Sequence, residues 1–84
     1  MLNIHYFASL RETLGQGSEA LALPADVHDV GALVMHLATL RGDPWTALED
    51  RSRVLVAVNQ TIVDHAHTLN GNEEVAFFPP MTGG

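Results

Sequence analysis

The chain contains no cysteine and no lysine. Without cysteine there is no disulfide framework and no thiolate metal site. Its four basic residues are all arginines and stand against ten acids, for a formal charge of −6. Phosphate contacts need a basic face, so nucleic acid is not an expected partner. Apolar runs fall well short of the roughly 20 residues a membrane-spanning helix needs. No basic-then-apolar leader precedes Met1-Leu2-Asn3-Ile4, which already alternates as a strand. No membrane association is therefore expected, and the cytoplasm is the expected location. The acidity fits either a partner with a basic docking surface or a simple requirement for solubility.

What is present is one small domain. Eighty-four residues with a 46% apolar fraction make a globular chain. At this length only about 60% of the unfolded surface is buried on folding. Leu2, Ile4 and Tyr6 alternate with Asn3, His5 and Phe7, which predicts a half-buried strand with Phe7 on the wrong face for an aromatic. Ser9-Leu10-Arg11-Glu12 has the form of a capping box for a short helix closed by Gly15. Gly15-Gln16-Gly17 lacks the rest of a phosphate-binding motif and reads as a turn. A second strand follows over 19–23, with Leu21 and Leu23 inward, to complete an opening hairpin.

Asp29 is suited to cap a helix over about 30–41, whose buried stripe is read as Val30, Leu33, Leu37 and Leu40. Gly42 and Pro44 end it, and Trp45 begins one further turn. Residues 53–59 are apolar on both faces and read as the central strand. A tight turn at Asn59-Gln60-Thr61 leads to a short return strand at Ile62-Val63. An irregular segment inserts Leu69, and a turn at Asn70-Gly71-Asn72 leads to the last strand, 73–78. Val75 and Phe77 point inward there, and Glu74, Ala76 and Phe78 outward. The order predicts an α+β fold, a mixed four- to five-stranded sheet packed on one main helix. Residues 1–78 form the domain, and 79–84 are expected to be an extended, flexible tail that Pro79 and Pro80 keep from pairing.

Three blocks now stand out: Tyr6-Phe7-Ala8-Ser9-Leu10-Arg11-Glu12, then Ala57-Val58-Asn59, then Gly71-Asn72 through Phe77-Phe78-Pro79-Pro80-Met81-Thr82-Gly83-Gly84. Together they resemble the family of molybdopterin synthase small subunits, ubiquitin-like sulfur carriers with a β-grasp fold. Diglycine alone is a weak signal, but an aromatic strand, Pro-Pro, two spacers and diglycine form a specific one. Asn72 departs from the aspartate more usual after that glycine, within the range of turn chemistry.

The resemblance implies a reaction at the Gly84 carboxylate. An ionised carboxylate is a poor electrophile until it is activated. An adenylating enzyme of the ubiquitin-activating type would use ATP on it, and a persulfide-bearing sulfurtransferase would supply sulfur for a thiocarboxylate. The tail would then enter the large synthase subunit and donate sulfur to cyclic pyranopterin monophosphate, two transfers building the dithiolene of molybdopterin. The implied assembly is a heterotetramer of two small and two large subunits, with no cofactor bound to this chain. Gly83 and Gly84 suit a narrow tunnel because they carry no side chain, and Met81 and Thr82 provide reach.

Phe7 and Phe78, joined by Ile62, are expected to form an exposed docking patch for the large subunit. Pro79, Pro80, Met81 and Thr82 continue that contact. Arg11 either pairs with a nearby acid or touches a partner. Asp50, Asp64, Glu73 and Glu74 read as solvated acids. His65-x-His67 has no evident third ligand, so no metal site is expected, and the chain alone carries no acid–base constellation. The alternatives are a carrier for thiamine or another thio-cofactor, a ubiquitin-like protein modifier, and a plain binding module. The absence of lysine excludes only lysine-linked self-chains.

Overall fold

The computed structural model describes residues 1–80. Five strands form one mixed sheet: β1 (Leu2–Tyr6), β2 (Ser18–Leu21), β3 (Leu55–Val58), β4 (Thr61–Val63) and β5 (Glu74–Phe78). Two α-helices, α1 (Ala8–Leu14) and α2 (Val30–Arg41), and a 3-10 helix at Trp45–Glu49 complete the fold. The strand order is β2-β1-β5-β3-β4, with β1 parallel to β5 and the other neighbours antiparallel. This is the expected α+β, β-grasp arrangement.

Alternation in β1 places Leu2, Ile4 and Tyr6 inside, each no more than 1% exposed, while Phe7 is 50% exposed. The expected capping box does not form. α1 begins at Ala8, with Phe7 as its cap and no side-chain capping bond. The Phe7 carbonyl accepts from the backbone N–H groups of Leu10 and Arg11, so Ser9 already lies within the first turn. The first turn is closed by backbone, and a hydroxyl there has no cap to make. Gly15 ends α1 in the left-handed region at φ 77°, as its position predicts. β2 stops at Leu21, short of the predicted Leu23, although both leucines are half-buried against the core.

The Asp29 carboxylate caps α2 by accepting from Ala32 N–H at 2.8 Å. Val30, Leu33 and Leu37 are fully buried. The fourth member of the predicted stripe is wrong: Leu40 is 68% exposed, and Val34 and Ala38 complete the buried face. Met35 and Leu40 make α2 apolar beyond its buried face, so hydrophobicity alone does not fix its phase. Gly31 sits at a close approach of two backbones. Its N–H donates to the His65 carbonyl at 2.8 Å, and a Cβ would come within 3.3 Å of that oxygen. Trp45 and Leu48 of the 3-10 helix are buried and join the core beside the end of α2.

β3 is an interior strand, but β5 holds the middle of the sheet. The double-sided apolarity of β3 arises because its Leu55 and Ala57 are covered by neighbours on the outer face while Val56 and Val58 enter the core. β3 and β4 are joined at Asn59 and Gln60, both with positive φ, as two-residue hairpins require. Leu69 is buried, as expected of the irregular segment.

Glu73 corrects the reading of a solvated acid: it is 8% exposed. Its carboxylate accepts from the N–H groups of Asn70 (2.6 Å), Gly71 (2.8 Å) and Asn72 (3.1 Å), closing the turn before β5. Burial works to raise its pKa, but the backbone donors outweigh it and hold the carboxyl below its usual range. A depressed folded pKa gives stability that is present above the unfolded value, near 4.3, and is lost as pH falls through the folded value. Glu73→Gln is expected to cost about 1–2 kcal/mol at pH 7 and progressively less below pH 4. Urea unfolding at both pH values measures this. An equal cost at both would show that ionisation of Glu73 is irrelevant.

Candidate functional site

The sheet has two unlike faces. Both helices place their buried residues against the inner one, with Ile4, Tyr6, Val75 and Phe77. The outer face carries the alternate residues of each strand. Register aligns His5 of β1, Ala76 of β5, Ala57 of β3 and Ile62 of β4 in one row. Phe78 lies opposite Leu55 in the next row. Phe7 follows the Tyr6–Phe77 pair in extended backbone, and its N–H donates to the Phe77 carbonyl at 3.1 Å. Phe7, just past the end of β1, and Phe78 of β5 therefore occupy adjacent backbone positions. Ile62 shares the face and is 65% exposed.

This strip is apolar, with Glu74 as the acid at its border, level with Asn3. The Phe7 ring stacks on His5, with centroids 6.2 Å apart and planes 25° from parallel. Phe78 is half-buried, and the chain runs from it directly into Pro79, half-buried, and Pro80, exposed. The tail thus departs from the middle strand at the end where the two aromatic residues sit. The predicted residues Met81, Thr82, Gly83 and Gly84 lie outside the described residues.

Arg11 is not part of the strip. Its guanidinium lies against Gly17, where a Cβ would come within 3.0 Å of Nε, on the β2 side of β1 and away from β5. The ion pairs among the described residues are Arg41 with Glu19 and Arg53 with Asp50. His65 and His67 lie in the irregular segment, and no cluster of three or more potential metal ligands occurs among the described residues. No helix there is long and apolar enough to cross a membrane.

Two sets of residues escaped sequence reasoning. Leu55 and Ala57 belong to the outer strip beside His5, which alternation already sets on the Phe7 face, and strand alternation would have placed both there once the neighbours were known. The second set is a polar knot on the inner side that fixes β1 to β2 and α2. Glu19 receives two bonds from Arg41, both 2.7 Å, one from the Tyr6 hydroxyl at 2.8 Å and one from Gln16 at 3.1 Å. The Arg41 hydrogen bonds are the main reason the Glu19 carboxyl is held below its usual range. Burial, followed by the bond to Glu19, pushes the Tyr6 phenol far above its ordinary value. Arg41 also stacks over Trp45 at 4.3 Å, and Tyr6 meets Trp45 edge-on at 5.2 Å. Nothing in local spacing joins residues 6, 19 and 41.

Comparison with known proteins agrees with this geometry. The family model described as "ThiS family" matches residues 4–84. The molybdopterin synthase sulfur carrier subunit of Escherichia coli is 46% identical over the whole of both chains. The subunit of that name from Haemophilus influenzae is 39% identical, again over both full lengths. Among solved structures, a putative molybdopterin converting factor subunit 1 from Pyrococcus furiosus superimposes with a TM-score of 0.75 at 22% identity, covering 95% of this chain and 97% of that one. The small archaeal modifier protein 1 of H. volcanii gives a TM-score of 0.72 at 22% identity, with the same coverage of 95% and 97%. At these identities the two structures establish the fold. The family match across residues 4–84, together with full-length relatives, establishes the lineage: the chain belongs to the ThiS family.

Proposed function

We propose that the chain is the sulfur-carrier subunit of a molybdopterin synthase. The observation that carries this reading is the continuity of the outer aromatic strip, through Phe78, into Pro79-Pro80 and the sequence Met81-Thr82-Gly83-Gly84. Residues 1–78 serve as the handle and 79–84 as the reactive tail. The full-length likeness to two proteins named as sulfur carrier subunits supports the assignment.

In this reading the Gly84 carboxylate is adenylated by an enzyme of the ubiquitin-activating type, which consumes ATP. A sulfurtransferase persulfide then displaces AMP to give an acyl disulfide, and a thiol reductant cleaves its S–S bond to leave the thiocarboxylate. Phe7, Phe78, Leu55 and Ile62 dock on the large subunit, with Pro79 and Pro80 directing the tail inward. Sulfur passes there to cyclic pyranopterin monophosphate. The chain contributes position and a reactive terminus, and the large subunit contributes the acid–base chemistry. A heterotetramer of two small and two large subunits, the absence of a resident cofactor, and residence in the cytoplasm belong to the same proposal. Arg11, turned toward Gly17, lies apart from the aromatic strip.

Intact-mass measurement tests it directly. Incubation with ATP, the activating enzyme and a sulfur source is expected to yield a species heavier by one oxygen-to-sulfur exchange, which disappears in the variant lacking Gly83-Gly84. No such species with the intact chain would remove the sulfur-carrier reading. Recovery of the chain in isopeptide linkage to many proteins would favour a modifier instead.

A further inference from the structure

We infer that Asn70 is a latent site of covalent modification, and that the Glu73 carboxylate keeps it closed in the folded chain. The reaction is intramolecular succinimide formation, which converts asparagine to aspartate and isoaspartate with water as the only other reactant.

The nucleophile in such a reaction is the backbone nitrogen of the following residue. It loses its proton to solvent and attacks Cγ of the asparagine. The new N–Cγ bond closes the succinimide ring, and the carboxamide nitrogen leaves as ammonia. Water then opens the ring. Opening at the side-chain carbonyl gives aspartate. Opening at the main-chain carbonyl gives isoaspartate, whose backbone runs through the side-chain carbon. A bulky following residue obstructs the attack, and glycine does not. Asn3, Asn59 and Asn72 precede Ile4, Gln60 and Glu73, whereas Asn70 precedes Gly71. Asn70 is also exposed, so water reaches it.

The turn holds the nucleophile back. Gly71 N–H donates to Glu73 Oε1 at 2.8 Å, and the same carboxylate accepts from Asn70 at 2.6 Å and Asn72 at 3.1 Å. Deprotonating Gly71 would set an amide anion against a carboxylate, two like charges within hydrogen-bond range. Swinging that nitrogen toward Asn70 Cγ would also strip a charge-assisted hydrogen bond from a buried acid. The Asn3 N–H restrains the turn further by donating to the Glu73 carbonyl at 3.0 Å. The position matters because β5 starts at Glu74. Isoaspartate would lengthen the turn that feeds the strand ending at Phe78, and either product adds a negative charge beside Glu73.

The experiment ages the full chain in mildly alkaline buffer as wild type, Glu73→Gln and Val34→Ala, at a temperature where thermal melts show all three folded. Peptide mapping by mass follows the exchange of NH2 for OH at each asparagine. Glutamine keeps an acceptor oxygen but not the charge. Val34→Ala removes a buried side chain from α2 and controls for lost stability. Folded Glu73→Gln is expected to react at Asn70 about tenfold faster than wild type, or more, from the loss of a charge-assisted hydrogen bond. Val34→Ala should match wild type, and in urea all three should share one fast rate because the turn is gone. Equal folded rates for wild type and Glu73→Gln, or a slower Glu73→Gln, overturn the inference. Equal acceleration in Val34→Ala assigns the effect to global opening and overturns it too. So does a rate difference that persists in urea, or reaction first at another asparagine.

Discussion

Phe7→Ala is expected to weaken association with the large subunit at least about 30-fold, some 2 kcal/mol, while moving the melting temperature by only a few degrees. The asymmetry follows from where the ring sits. Phe7 is half-exposed and touches His5, so truncation removes little from the folded domain. Its backbone groups are the structural ones: the N–H donates to Phe77 and the carbonyl accepts from Leu10 and Arg11, and alanine keeps both. Under the proposed docking the same ring would be a large apolar anchor within the buried patch. Phe78→Ala should follow the same order with a larger folding cost, because Phe78 is half-buried opposite Leu55 in the middle of the sheet. Calorimetric affinity and thermal melts on the two variants separate the effects. Equal losses of binding and stability would sink the docking strip.

Glu19→Ala should produce the largest loss of stability, about 2–3 kcal/mol, with a fall in melting temperature of roughly 10–20 °C. One carboxylate anchors β2 to β1 through Tyr6 and to α2 through Arg41, so its removal leaves a buried phenol and a guanidinium without their acceptor. The side chains of Arg41 and Glu19 are 26% and 15% exposed, so some of the cost is relieved by water. Replacing both charges, as Glu19→Leu with Arg41→Leu, should recover part of the loss because no charge is left unpaired. Urea unfolding of the wild type and the two variants measures this. A double variant no better than Glu19→Ala would show that the cost lies in Tyr6 and not in the stranded arginine.

The legible parts of the sequence were those governed by local rules. Alternation at Leu2, Ile4 and Tyr6 gave the first strand and left Phe7 outward. Asp29 ahead of an apolar stripe announced α2. The outward phase of Phe78 and the pairing of the last strand with the first were legible as well. The illegible parts depend on contacts remote in sequence. Leu40 satisfies helical spacing as well as Val34 does, and only the position of the sheet decides between them. Ser9 has the right neighbours for a cap, but the Phe7 carbonyl takes the role first. Glu73 resembles any surface acid until three N–H groups of a turn converge on it. β3 is the most apolar strand, yet β5 takes the middle because the first and last strands pair.

That last pairing has a consequence for how the protein is made. β1 is among the first segments to emerge during synthesis, and β5 follows almost all of the described domain. Without β5, the β2-β1 and β3-β4 pairs have no strand to join them. Neighbours so far apart in sequence form slowly, because loop closure must precede the contact. Phe7 and Phe78 become neighbours only when β5 is in place, so under the proposed docking an unfinished chain would lack the complete surface. On that proposal, assembly with the partner would favour chains whose last strand is in place.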